Sequence, residues 1–132
     1  MGIKHLWDTN TAIYYLQQQF PANAEKYIDD LLKEEKPAIS SISEIELLCW
    51  KTATENDLEI LHNFIHDAFI IELEQPIKIR AAEIRREYHI KLPDAIIAAT
   101  ALIYDFTLLS RNLSDFQKIA GFKIINPWEM YN

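Results

Sequence analysis

The sequence predicts a three-layer α/β/α domain with a central, mainly parallel sheet of four or five strands. Three observations carry this expectation. Short apolar, β-compatible segments alternate with longer segments of helical periodicity, the order that builds a parallel sheet covered on both faces. The 132 residues are 49% apolar and 25% charged, with two glycines and five prolines. That composition suits one compact domain that buries roughly two-thirds of its extended surface, and it excludes a disordered tail, a disulfide scaffold and a low-complexity linker. Residues 95–104 are apolar almost all round, as a helix enclosed by other elements should be. No repeat or linker interrupts the pattern, so residues 1–132 are expected to form a single domain.

Each element follows from its own residues. Residues 3–7 are short and apolar and end abruptly in Asp8-Thr9-Asn10, residues that start helices; 11–20 then read as a helix. Pro21 interrupts it, and 22–35 form a second helix with Ala24, Tyr27, Ile28, Leu31 and Leu32 on one side. Residues 37–42 are a brief strand. Residues 43–53 and 55–67 read as paired helices, with Leu58, Leu61, Ile65 and Phe69 at helical spacing. Residues 69–73 are a strand, and 76–88 a helix opened by proline. Pro93 precedes the apolar helix 95–104. A strand at 106–110, a short helical turn at 114–119 and a last strand at 122–125 complete the chain before Pro127.

Composition also bounds the setting. The single cysteine, Cys49, has no internal partner, so a reducing cytoplasm is the expected location. Residues 1–10 carry no export signal, and 95–104 is shorter than the ~20 apolar residues that span a bilayer, so no membrane association is expected. Twenty acids against thirteen bases give a net charge of −7, the wrong sign for binding nucleic acid through the overall field. The charges are uneven, however. Lys78, Arg80, Arg85, Arg86 and Lys91 outnumber Glu83 and Glu87 over 78–91, and bound metal ions would cancel part of the acidic excess.

In a parallel α/β sheet, ligands sit beyond the carboxyl ends of the strands. Four acids fall there: Asp8 after the first strand, Glu46 just past the second, Asp94 opening the apolar helix and Asp115 a few residues after the fourth strand. Each has a purely structural reading. Asp8 suits an N-cap worth about 1 kcal/mol. Ser43-Glu44-Ile45-Glu46 fits a capping box. Asp94 and Asp115 would complement helix dipoles. Together they say more, because carboxylates sharing one site repel by about 4 kcal/mol per pair at ~4 Å and an effective dielectric near 20. Without a cation some would hold a proton. Hard oxygen ligands with no nearby Cys or His favour Mg²⁺ or Mn²⁺ over zinc. A carboxylate-held ion suits hydrolysis of a phosphodiester backbone, and helix N-termini at these positions add donors for phosphate.

These residues also carry a family resemblance. Leu6-Trp7-Asp8-Thr9-Asn10, the run Ile39 to Leu48, Leu92-Pro93-Asp94 through Ala101, and Leu109 to Phe116 resemble, in order and spacing, the motifs of PIN-domain ribonucleases. Within that group they are similar to VapC-type toxins of toxin–antitoxin pairs, and Phe122 to Pro127 resembles the closing strand. The resemblance implies a PIN-like fold and metal-dependent cleavage of RNA, of the transfer or ribosomal class, with Mg²⁺ or Mn²⁺ held by Asp8, Glu46, Asp94 and Asp115 as the catalytic set. It implies Thr9, Ser110 and Asn112 as polar residues near the substrate. Arg111 sits beside this expected site and reads as a phosphate contact. The resemblance also implies a cognate antitoxin and a homodimer. Glu44 shares a motif with Glu46, but residues two apart on a helix cannot face the same way. The family pattern of an acid before leucine and three after Ser or Thr selects Glu46.

Other residues are read more plainly. His62 and His66 have metal-ligand spacing, yet Phe64 and Ile65 between them suit a core. Cys49 and Trp50 read as core or interface. Tyr14, Tyr15, Trp50 and Phe64 are candidates for a partner surface. Arg85, Arg86, His89 and Lys91 suit either phosphate contacts or a solvated helix face paired with Glu83 and Glu87. Two other readings share the pattern: a catalytically inactive PIN-like module that binds RNA or protein, and a phosphoacceptor receiver domain. The second needs paired acids after the first strand, which Asp8 lacks.

Overall fold

The computed structural model describes residues 2–132. The chain runs β1 (His5–Trp7), α1 (Thr9–Leu16), α2 (Ala22–Leu32), β2 (Ala38–Ser40), α3 (Ser41–Leu48), α4 (Glu55–Asp67), β3 (Phe69–Ile71) and α5 (Gln75–Glu87). It continues through α6 (Leu92–Tyr104), β4 (Thr107–Leu109), α7 (Leu113–Phe116) and β5 (Ile124–Ile125) to a 3₁₀ turn at Pro127–Glu129. Every ladder is parallel: β4 pairs with β1 and β5, and β2 with β3. The expected parallel architecture is therefore present, with its hydrogen bonds divided between a sheet ordered β1-β4-β5 and a pair β2-β3. β1 and β2 are in contact where the two sets meet.

Strand alternation creates the layers, since successive side chains point to opposite faces. Leu6, Ala38, Ile71, Leu108 and Ile124 enter one core. Their neighbours Trp7, Ile39, Ile70, Leu109 and Ile125 enter the other. Register keeps the sets together: Leu6 pairs with Leu108 and Leu108 with Ile124, while Trp7 pairs with Leu109 and Leu109 with Ile125. A slip of one residue would exchange the two faces.

The first core is closed by α5, through Ile77, Ala81 and Ile84, and by α6, buried continuously from Ala95 to Ala101. The small side chains of α6 suit its close packing against α5. Its one buried hydroxyl, Thr100, donates to the Ile96 carbonyl at 2.7 Å, so nothing polar is stranded. The helix stops at Asp105, which takes a left-handed φ of 56°, a conformation Asp tolerates better than most residues.

The second core takes Ala12 and Leu16 of α1, Ala24, Ile28 and Leu31 of α2, Leu47 of α3, and Leu61 and Phe64 of α4. Trp7, 1% exposed, lies edge-on to Tyr15 at 5.4 Å and tilted against Phe64 at 5.8 Å. Tyr14 and Phe20 meet Trp128 at 4.9 and 5.0 Å. Tyr14, Tyr15 and Phe64, expected as partner-surface candidates, are thus engaged inside the protein.

Several boundaries differ from the sequence expectation, those of α1 and α3 most. The helix expected at 43–53 begins at Ser41, because Ser40 ends β2 and caps α3 directly, its hydroxyl accepting from the Ile42 amide at 3.2 Å. The capping box lies at α4 instead, where Thr54 and Asp57 exchange bonds of 3.1 and 2.9 Å. α3 ends at Leu48, leaving Cys49 exposed rather than in a core. α1 ends at Leu16, four residues early, and Gln18 beyond it has a left-handed φ of 54°.

Leu108 is fully buried in β4, between β1 and β5. Leu108→Ala should lower the unfolding free energy by about 3–5 kcal/mol, measured by urea denaturation; a loss under ~1 kcal/mol would contradict this packing.

Candidate active site

The carboxyl ends of the parallel strands define one edge of the domain, and polar residues collect there for local reasons. β1 turns into α1 at Asp8, whose carboxylate accepts from the Thr11 amide at 2.8 Å as an N-cap. The Asp8 amide donates to the Leu109 carbonyl at 3.1 Å, and the Thr11 hydroxyl donates to the same carbonyl at 3.0 Å. The end of β4 therefore fixes the turn that carries Asp8. Capping is real here, yet the residue is only 6% exposed, an unusual depth for a mere surface cap. Burial pushes its carboxyl above the ordinary 3.8, opposed by hydrogen bonds from Ser110 and Thr11 and reinforced by the charge of Glu46.

Glu46 projects from α3. It does not reach back to Ser43 as a capping box would require. Its Oε1 accepts from the Thr9 hydroxyl at 2.6 Å, and that hydroxyl lies 2.9 Å from the buried Ser43 hydroxyl. Asp94 sits in the first turn of α6, reached from the α5–α6 turn rather than directly from a strand. It is half-buried, and burial pushes its carboxyl upward, with further contributions from Asp115, Asp8 and Glu46 and a small opposing one from Lys91. Asp115, in α7, accepts from the Asn112 side-chain amide at 3.2 Å.

An open cleft of about 220 Å³ is lined by Asp8, Glu46 and Asp94, with Thr9, Asn10, Asn112 and the apolar Ile13, Ile97 and Phe116. Glu44 is not part of this lining. Asp115 lies outside it and lines a neighbouring cavity, while acting on Asp94 through its charge. Among the described residues, none of these four acids takes part in an ion pair. The donor set fits a hard divalent cation: it is all oxygen, and two of its carboxylates are pushed upward by burial and by one another. As the side chains stand, no three His, Cys, Asp or Glu among the described residues are close enough to hold an ion. Asp8, Glu46 and Asp115 are each occupied by a donor from the protein itself.

The expected substrate contacts divide. Thr9 and Asn112 line the cleft. Ser110 is fully buried and cannot touch a substrate; its hydroxyl serves Asp8 and accepts from the Asn112 amide at 3.0 Å. Arg111 is exposed outside the lining, with its guanidinium 5.0 Å from the centre of the Trp128 ring. His62 and His66 are exposed, and His66 meets the Asp67 carboxylate at 3.3 Å. Sequence reasoning missed Asn10, which had read only as a helix starter, and the buried Thr11 and Ser43 hydroxyls. A serine three residues before Glu46 was the available signal for Ser43.

Fold and site together define an α/β domain with an acidic cleft at the carboxyl edge of parallel strands. The model of the PIN domain matches residues 6–122, and the chain belongs to that family. No curated protein is similar enough in sequence to match. Solved structures are similar over nearly the full length. A chain of a toxin–antitoxin complex from Klebsiella pneumoniae is 30% identical with a TM-score of 0.77, over 96% of this chain and 99% of that one. A chain of DNA-bound VapBC from Salmonella typhimurium is 24% identical with a TM-score of 0.81, over 95% and 98%. A chain of VapBC2 from Rickettsia felis, bound to a promoter DNA fragment, is 24% identical with a TM-score of 0.77, over 96% and 98%.

Because Asp94 is pushed upward, its ionised form costs the folded state stability, a cost that sets in as pH rises above 3.8 and is complete above the raised value. In EDTA at pH 7, Asp94→Asn should therefore melt a few degrees higher than the parent, by calorimetry or circular dichroism. The gap should close as pH falls below 3.8. A variant less stable than the parent at pH 7 would refute the crowding of charge at this residue.

Proposed function

We propose that the protein is a divalent-metal-dependent endoribonuclease, the VapC-type toxin of a toxin–antitoxin pair. The observation that carries this reading is the position of Asp94, which feels the charges of Asp115, Asp8 and Glu46 with only Lys91 weakly opposing them. A site that accumulates uncompensated carboxylates in a partly buried cleft is suited to a cation and to the anionic substrate that a cation can recruit. The family membership supplies the nuclease reading, and the toxin–antitoxin complex from Klebsiella pneumoniae supports the pairing with an antitoxin.

Asp8, Glu46 and Asp94, with Asp115 from the rim, are the residues that would hold Mg²⁺ or Mn²⁺, which supplies Lewis acidity and a water of lowered pKa. The chain does the positioning. Asp8 is fixed by the Thr11 amide and the Ser110 hydroxyl, so its carboxylate cannot swing away. Thr9 fixes Glu46 in the same way. Asn112 orients Asp115 while lining the cleft, where its amide can also meet a phosphate oxygen. The N-terminal turns of α1 and α6 bring amide donors and positive helix-dipole ends to this edge, favouring phosphate over neutral ligands. Ile13, Ile97 and Phe116 lower the local polarity, which strengthens every charge interaction in the cleft. An antitoxin would silence the site by placing a basic side chain among the carboxylates, satisfying them as the metal would.

Labelled RNA incubated with the protein should be cut in Mg²⁺ or Mn²⁺ and left whole in EDTA. Asp94→Asn and Glu46→Gln should each lower the rate more than about 100-fold, beyond the 10–100-fold typical of residues that only support a metal ligand. Glu44→Gln should leave it unchanged. RNA left intact by the parent protein with either ion would refute the ribonuclease reading in favour of a non-catalytic module.

A further inference from the structure

Resting on the ribonuclease reading, we infer that the cavity between α5 and α6 is the subsite that holds the RNA phosphates flanking the cleaved bond, with Arg85 and Lys91 as its principal contacts. The cavity, of about 460 Å³, is lined by Arg85, Tyr88, His89, Ile90, Lys91 and Asp115. Asp115 is its one acid, and that residue joins it to the acidic cleft: its carboxylate accepts from Asn112, which lines the cleft. Lys91 lies near enough to act on Asp94. The two chambers are therefore electrically opposite and adjacent.

Three observations favour an anionic strand over a merely solvated helix face. First, Arg85, Arg86 and Lys91 take part in no ion pair among the described residues, although Glu83 and Glu87 share their helix or adjoin it; Glu83 pairs with Arg80 at 3.6 Å. Of the two readings, the one that pairs these bases with Glu83 and Glu87 is thus not met. Second, Lys91 is the N-cap of α6 and makes no capping hydrogen bond. A cation at the positive end of a helix is electrostatically unfavourable, and Ser, Thr, Asp or Asn would serve the helix better. Helix stability does not account for lysine at this position, whereas an anion held between its ammonium and the first amides of α6 does.

Third, the cavity on the other side of the cleft offers no cation to a phosphate. On the side of Glu46, the adjoining cavity is lined by Ile13, Leu16, Gln17, Leu47 and Trp50 besides Glu46 itself, with no cation among them. An RNA strand carries one negative charge per nucleotide, so a strand whose scissile phosphate occupies the acidic cleft needs compensation for its neighbours on one flank. On a chain of net charge −7, that flank is the one with Arg85 and Lys91. These contacts bind the backbone and carry no base preference.

The test measures binding of a fluorescein-labelled, single-stranded oligoribonucleotide of mixed sequence in EDTA across a salt series. Arg85→Gln and Lys91→Gln should each weaken binding several-fold and flatten the salt dependence by about 0.7 in log–log slope, and the double variant by about 1.4. Lys36→Gln, at the amino end of β2, should change neither. In Mn²⁺, the same two variants should raise KM for RNA and leave kcat unaltered, the mark of lost uniform binding. Unchanged slopes, slopes lowered equally by Lys36→Gln, or a parent protein that binds no RNA would each overturn the subsite. A parent protein that binds RNA with the expected slopes but never cuts it would sustain the subsite and refute the ribonuclease reading alone.

Discussion

The structure turns on the gathering of carboxylates at one edge of a small parallel sheet. Burial and mutual repulsion act in the same direction on Asp8 and Asp94, and among the described residues no lysine or arginine forms an ion pair with either. A fold selected only for stability would place apolar or neutral groups there, since an uncompensated charge in a partly buried site is among the costlier features a protein can carry. Domains commonly concede stability at the sites they use. The rest of the architecture serves to hold this unfavourable edge in place.

It does so with few residues. The strands are two or three residues long, too short to be stable as isolated ladders, and their persistence comes from the two cores that clamp them. Alternation sends Leu6 to one face and Trp7 to the other, and the next residue in line is Asp8. The carboxylate thus emerges where the pleat ends, fixed by the Leu109 carbonyl across the sheet. Ser40 performs the equivalent service on β2, ending the strand and capping α3 in one step, which sets Glu46 two turns along. α6, packed against α5 and buried from Ala95 to Ala101, contributes Asp94 from its first turn. Three rigid supports meet at one cleft.

Much of this was legible in the sequence, and the exceptions have physical causes. Alternation of strands and helices was visible because the apolar spacings of 22–35 and 55–67 are strongly periodic and Pro21, Pro76 and Pro93 mark the breaks. The identity of the acids was visible because each follows a β-compatible segment or opens the apolar helix. What the sequence obscured was the start of α3, since the string Ser40-Ser41-Ile42-Ser43 offers three possible caps and only tertiary context chooses the first. The role of Ser110 was hidden for a similar reason: a hydroxyl near an active site reads as a ligand until burial shows it facing Asp8. Tyr14 and Arg111 are engaged by Trp128 and Tyr15 by Trp7, and the first of these contacts, 114 residues apart in the chain, is one that no local pattern encodes.

Isothermal titration of Mn²⁺ into the metal-free protein addresses the central claim most directly, because it asks whether these oxygens act as one site. The account predicts saturable heat corresponding to one or two ions per chain, accompanied by proton release as the raised carboxyls ionise. Heat indistinguishable from dilution, with no proton release, would show that the four acids are separate surface charges and would contradict it.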